Sequence, residues 1–264
     1  MTTANKVVAN KTMTNKMAQS SDAAASYSSA DVPTLNWDDL QKVNASQMQH
    51  ISLLATGKYG LDMRTLMEEA GKSLANLAAH LTPKGPSLVV AGRGNNGGAG
   101  LAAARYLAEM GRPVWVVPTH EAENYSGVPK EQLEKLGEYK NIRVRSGLPK
   151  MKFQCIIDTA VGIHLEGPPR GRTLDVITVL NSMNGCPVIS LDAPTGMDVN
   201  DGSVPGDVVQ ATATLSLVLP KAGVKPGGHV GELYLAGLGL PGDLFGDLGL
   251  EPFAPPAPWG RISE

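Results

Sequence analysis

Ser87-Leu88-Val89-Val90-Ala91-Gly92-Arg93-Gly94-Asn95-Asn96-Gly97-Gly98 joins an apolar strand to a glycine-rich turn, and beyond it a helix of small residues is expected to start near Gly100. Strand, turn and helix in that order place the unpaired N–H groups of the helix start behind the turn, where they favour an anion. The glycines let the backbone bend tightly and approach a bound group. Gly92 to Gly97 fits the dinucleotide pattern G-x-G-x-x-G only formally. The paired amides Asn95 and Asn96 add specificity, because each offers both an acceptor oxygen and NH2 donors.

Outward from this stretch the chain alternates strands and helices, the signature of a mostly parallel sheet covered on both faces. Helices are expected over Asn44–Ala55 and Met63–Leu81, the second with Leu66, Ala70, Leu74, Leu77 and Leu81 on one face. Strands follow at Leu88–Ala91, Val114–Val117, Ile142–Val144, Cys155–Asp158, Val188–Leu191, Thr212–Val218 and Glu232–Ala236, with helices near Leu101–Met110, Lys130–Leu136 and Thr173–Met183. No internal repeat breaks the pattern. The reading is one α/β domain with a doubly wound sheet over 36–248, between a flexible tail (1–35) and a Pro-rich tail or strap (249–264).

Ligands of such sheets bind beyond the carboxyl ends of strands, and two further strands end in polar sequences. Asp158 closes Phe153-Gln154-Cys155-Ile156-Ile157, ahead of Gly162 and a Pro-rich loop. Asp192 closes Pro187-Val188-Ile189-Ser190-Leu191 and heads Ala193-Pro194-Thr195-Gly196, a sharp turn. A lone Asp at such a place reads as a cap or a loop acid. Two of them beside an Asn-rich turn suggest a shared site, and Asn96, Asp158 and Thr195 form an all-oxygen set suited to a hard or monovalent cation.

Composition narrows the function classes. A net charge of −2 over 264 residues gives no global field for nucleic acid or anionic lipid, and no apolar run approaches the roughly 20 residues of a membrane span. Cys155 and Cys186 lie in or beside apolar runs and read as buried free thiols. The first thirty residues carry Lys6, Lys11 and Lys16 with no acid before Asp22. That leaves room for an organelle presequence, but the lack of Arg favours a flexible tail on a cytoplasmic protein.

Taken together, Leu66-Met67-Glu68-Glu69-Ala70-Gly71, Gly94-Asn95-Asn96-Gly97-Gly98, Asp158 with Gly162, Asp192-Ala193-Pro194-Thr195-Gly196 and Leu219-Pro220-Lys221 resemble the YjeF N-terminal family, the NAD(P)H-hydrate epimerases, over roughly Asn44 to Leu240. The resemblance implies a three-layer αβα Rossmann-like fold and interconversion of the R and S epimers of hydrated NADH and NADPH, which are substrate rather than cofactor. It implies that Asn95, Asn96, Gly97 and Gly98 bind the phosphate region, and that the loop Gly162, Ile163, His164, Leu165, Glu166, Gly167 and Pro168 lines the substrate. Asp192 matches the substrate-contacting catalytic carboxylate, and Asn96, Asp158 and Thr195 match potassium ligands. Lys221 belongs to the motif without an assigned role. A homodimer is expected, from the family tendency and the Pro-rich strap.

This chain departs from the family pattern in several places. Ala99 stands where the turn usually carries an acid, Arg93 where proline is usual and Glu69 where Asn is common. His164 and Glu166 occupy positions that are usually small or basic, and Thr195 replaces Ser with its hydroxyl kept. His164 reads equally as an acid or base or as a solvated loop residue. Two rival functions stay open: a diverged member acting on another small molecule or only binding a ligand or protein, and an ordinary nicotinamide oxidoreductase. The latter needs an acid at the end of the second strand, where Thr119 and His120 stand with Glu121 just beyond.

Overall fold

The computed structural model describes residues 32–165 and 167–264, so the expected tail up to residue 31 and Glu166 of the candidate substrate loop lie outside the described residues. After β1 (Thr34–Asn36) come two capped helices. Asn44 starts α1 (Ala45–Gly57) through a reciprocal capping box with Gln47, and the Asp62 side chain accepts from the Arg64 N–H at the start of α2 (Met63–Leu81). Next follow β2 (Ser87–Ala91), α3 (Asn95–Glu109), β3 (Val114–Pro118), α4 (Gly127–Lys135) and β4 (Ile142–Val144). The second half holds β5 (Cys155–Thr159), α5 (Arg172–Ser182), β6 (Val188–Leu191), β7 (Ala213–Leu217), β8 (Glu232–Ala236), a short α6 (Gly242–Gly246) and β9 (Gly260–Ser263).

The nine strands of the described residues form one sheet in the order β1-β9-β8-β7-β6-β5-β2-β3-β4. Every neighbouring pair is parallel except β8 and β9. The chain runs outward from β2 to β4 and then returns to lay β5 on the other side of β2. At that reversal the connections leave in opposite directions and open a crevice above the carboxyl ends of β2 and β5.

Alternation along the central strands builds a core on each face. Val89, Ala91, Val116, Cys155 and Ile157 pack with α1, α2 and α3. Leu88, Val90, Val117 and Ile156 pack with Val176, Ile177 and Leu180 of α5. Strands covered on both faces must be apolar throughout, which is why they were legible as continuous runs, and the result is the expected three-layer arrangement.

The small residues of α3 have a packing reason. A Cβ on Gly71 of α2 would sit 2.4 Å from Ala102 Cβ and 2.9 Å from the backbone N of Ala103 and O of Ala99, so α2 and α3 approach backbone to backbone. The contact is locked by Glu68, whose carboxylate accepts from Arg105 Nη2 (2.7 Å to each oxygen), Gln132 Nε2 (2.9 Å), Tyr106 Oη (3.1 Å) and Lys135 Nζ (3.4 Å). One carboxylate thereby ties α2, α3 and α4 together. Burial alone would raise its pKa, but the hydrogen bonds from Gln132 and Arg105 outweigh burial and hold it at about 2.

Three expectations are corrected. The helix after β2 begins at Asn95 rather than near Gly100, with the Gly98 N–H donating to the Gly94 carbonyl (2.9 Å), so the Asn-Asn-Gly-Gly segment is the first helical turn. At the far end, 249–264 is not a loose tail, because β9 pairs with both β8 and β1. Trp259 is buried with ring contacts to His80 and Tyr234, at centroid distances of 4.9 and 5.4 Å. The sheet therefore also takes in Thr34 and Leu35, which fall inside the expected N-terminal tail. Cys155 is buried and Cys186 half-buried, both free, and among the described residues no helix is long and apolar enough to cross a membrane.

Gly71→Ala is expected to lower the unfolding free energy by about 1–3 kcal/mol in urea titration, since the backbone of α3 must move to admit the methyl. Because the pKa of Glu68 is depressed, its contribution is complete above the ordinary carboxylate value of 4.5 and is lost as pH falls toward about 2. Denaturation measured across that window should show stability declining with acid in the parent chain and a shallower decline in Glu68→Gln.

Candidate active site at the carboxyl ends of β2, β5 and β6

Asp158 is fully buried at the end of β5, where a carboxylate needs donors on both oxygens. Oδ2 accepts from Ser190 Oγ (2.9 Å) and the Thr195 N–H (2.9 Å), and Oδ1 from Thr195 Oγ1 (2.7 Å) and, at 3.3 Å, the Ala160 N–H. Burial pushes its pKa up, with Thr195 and Ser190 pulling the other way. The turn after β6 supplies Thr195 as donor, while its Oγ1 accepts from the Val161 N–H (3.0 Å). Strands β5 and β6 are thus joined at their ends by side chains as well as by the ladder that sets Asp158 opposite Ser190.

Asn96 completes the group from the helix side. Its Oδ1 and Nδ2 are both buried and have no hydrogen-bond partner among the described residues. A Cβ on Gly162 would lie 2.9 Å from Asn96 Cβ and Cγ, so the carboxamide rests against the chain just after Val161. Asn96 meets Gly162, the neighbouring Val161 N–H meets Thr195, and Thr195 meets Asp158, so the chain segments carrying the three residues adjoin one another. A buried amide left unpartnered costs on the order of 1–3 kcal/mol, and a set of carboxylate, hydroxyl and carboxamide oxygens fits a cation of the hard or monovalent kind. Among the described residues no group of three or more His, Cys, Asp and Glu offers a site for zinc-like metals.

Asp192 follows β6 with φ of 63°, left-handed backbone that a non-glycine residue seldom adopts. Its Oδ1 accepts from the Leu217 N–H (3.1 Å) and forms an ion pair with Lys221. Lys221 is completely buried and also donates to the Leu217 carbonyl (2.8 Å). The second carboxylate oxygen, Oδ2, has no partner among the described residues, and the Asp192 side chain keeps 14% of its surface exposed. Asp192 thus has one oxygen anchored and one available to a reactant. Val218 supports this arrangement with an unusual φ of 69° for a β-branched residue, turning the chain so that Leu217 presents both its N–H and its carbonyl to the pair.

The other expected residues divide by role. Asn95 is exposed at the first position of α3, whereas Gly97 and Gly98 are buried. A Cβ on Gly97 would lie 1.8 Å from the Gly92 carbonyl oxygen, and one on Gly98 2.5 Å from Met67 Sδ. Gly97 is demanded by the fold of the turn itself, independently of any ligand, whereas at Gly98 a methyl would meet the movable end of the Met67 side chain. Gly162, Ile163 and Leu165 are half-buried, and His164, Gly167 and Pro168 are exposed. Ala99 is buried, so the missing acid is replaced by a methyl inside the protein.

Two participants escaped the sequence reading. Ser190 looked like one polar residue in an apolar strand, and Lys221 carried no role; in each case the signal was a polar side chain inside an otherwise buried run.

The arrangement matches a family model described as YjeF-related protein N-terminus over residues 63–223, a span holding all of these site residues. The chain belongs to that family. Among family relatives, it is 67% identical over 220 residues to the NAD(P)H-hydrate epimerase of Truepera radiovictrix, covering 83% of this chain and 100% of the relative. It is 36% identical over 214 residues to the protein of the same name from Dehalogenimonas lykanthroporepellens, covering 79% and 86%. The crystal structure of yeast ynu0 (YNL200c) superposes with a TM-score of 0.73 at 26% identity, covering 85% of this chain and all of that one.

Lys221→Met should destabilise the fold by about 3–5 kcal/mol, because it leaves Asp192 without its cation in a largely buried setting. Urea unfolding of the variant checks this, and a loss below 1 kcal/mol would show that the pair is dispensable for stability.

Proposed function

We propose that the chain is an NAD(P)H-hydrate epimerase in which Asp192 moves the proton. The observation that carries the reading is the 67% identity spanning the whole of a relative bearing that name. The half-anchored carboxylate at the mouth of the crevice supports it.

The hydrated ring carries a hydroxyl on a carbon bonded to the ring nitrogen. As the anionic member of an ion pair with Lys221, Asp192 is set up to accept a proton first. Its Oδ2 takes the hydroxyl proton, the C–O bond becomes a carbonyl, and the ring C–N bond breaks with its electron pair passing to nitrogen. Asp192 then gives the proton to that nitrogen. The carbonyl carbon is planar, so after rotation the nitrogen can add to either face while the proton returns by the same route. Nothing is consumed, which suits an isomerase. Lys221 positions Asp192 throughout, held in turn by the Leu217 carbonyl.

The substrate's phosphates would lie over the start of α3, where Asn95, Asn96 and Gly97 present N–H groups at the positive end of the helix dipole. Asn96, Asp158 and Thr195 would hold potassium, whose charge offsets that of the buried carboxylate and steadies the loop from Gly162. The oxygen-only donor set and the unpartnered Asn96 amide support that assignment.

The experiment is epimerisation of purified R-NAD(P)H hydrate, followed by chromatography against the spontaneous rate. The parent chain in potassium should accelerate exchange, Asp192→Asn should fall to background, and Asn96→Ala should respond less to replacement of potassium by lithium. A parent rate equal to background would sink the epimerase reading and favour a family member with another substrate, the reading that buried Ala99 invites.

A further inference from the structure

The carboxyl edge of the sheet carries a second depression beside the one already described. Between the ends of β3 and β4, against α4 and the first residue of α5, lies a cleft of about 390 Å³. That volume is within the range of small-molecule sites. Pro118, Leu133 and Val144 give it apolar surface, and Val144 is 43% exposed, unusual for a large apolar residue here. Lys130, Arg145 and Arg172 contribute three cations. Glu121 and Glu134 line the same cleft, yet none of the three cations forms an ion pair among the described residues.

The two guanidinium groups are fixed differently. Arg172 donates through Nη2 to the Pro118 carbonyl (3.1 Å) and to the Ser146 carbonyl, which fastens it across the ends of β3 and β4. Arg145 donates only to its neighbouring Val144 carbonyl (3.1 Å) and keeps its other donors unspent within the described residues. Arg93 of the phosphate-side turn also acts on the rim of this cleft at His120. After burial, the charges of Arg93 and Arg172 are what push the His120 imidazole down, and Arg93 belongs to the turn that precedes Asn95.

Apolar surface beside unpaired guanidinium groups matches a planar base attached to a phosphorylated sugar. The location agrees with that chemistry, since in doubly wound sheets a dinucleotide lies across the switch point and its adenosine ribose reaches the end of the strand next to the phosphate turn, where an arginine accommodates a 2′-phosphate. Here that strand is β3. The geometry points to this cleft as the seat of the substrate's adenosine half, with Arg145 and Lys130 taking the ribose 2′-phosphate. The inference rests on the epimerase reading for the identity of the dinucleotide, and it makes the phosphorylated hydrate the preferred substrate.

Calorimetry on the full chain with adenosine 2′,5′-bisphosphate and with AMP tests the cleft without any turnover. The bisphosphate should bind at least about tenfold tighter, the worth of one charge-assisted hydrogen bond. Arg145→Ala and Lys130→Ala should each erode that preference while AMP binding persists as the control for folding. In turnover, Arg145→Ala should lower the ratio of kcat/KM for NADPH hydrate over NADH hydrate by about the same factor. Equal or absent binding of the two nucleotides, or a preference that both variants keep, overturns the inference. The two readings fail separately. A chain that prefers the bisphosphate through Arg145 but does not epimerise keeps the cleft and loses the epimerase, and one that epimerises without the preference does the reverse.

Discussion

A carboxylate sealed from water at the end of a central strand dictates much of what surrounds it. Asp158 is fully buried, and leaving its oxygens unmet would cost several kcal/mol. Ser190 must therefore break the apolar run of β6, and the turn after β6 must fold back so that Thr195 offers both its N–H and its hydroxyl. With Thr195 fixed, the Val161 N–H has its acceptor, and Gly162 falls against Asn96. The walls of the crevice are in this sense built outward from one acid.

The Asp192 side of the crevice is organised by unfavourable backbone instead. Asp192 and Val218 both hold positive φ, a conformation costing on the order of 1–3 kcal/mol where no glycine is used. The strain persists because Asp192 is itself paired with a completely buried lysine, which the Leu217 carbonyl next to Val218 also fixes. A carboxylate so constrained has little conformational freedom left to lose on meeting any partner.

The parts of the fold legible in the sequence were those where local pattern and final environment agree. β2, β5 and β6 are buried on both faces and read as mainly apolar runs, and α2 shows its stripe and is bounded to the residue. The start of α3 is obscured because its first turn holds two poor helix formers, Gly97 and Gly98, of which Gly97 is fixed by a backbone contact with Gly92 that no local pattern reveals. Gly260–Ser263 is four residues long and follows a proline cluster, so its membership of the sheet depends on partners more than twenty and more than two hundred residues away. Asp158, Asp192 and Thr195 could be picked out as strand-end residues. Their hydrogen-bond partners could not, since a serine in β6 and a lysine beyond β7 become meaningful only once the strands lie side by side.

The placement of β9 also bears on when the molecule can finish folding. Among the described residues β1 pairs with β9 and with no other strand, and β9 in turn docks on β8. During synthesis the segment Thr34–Asn36 leaves the ribosome long before Gly260–Ser263 exists. The parallel core from β2 to β8 can assemble as the chain emerges, yet one edge of that sheet stays uncovered, with its ladder groups open to other chains, until the last strand arrives. Burial of Trp259 beside His80 and Tyr234 then seals an edge that every earlier stage of translation leaves exposed.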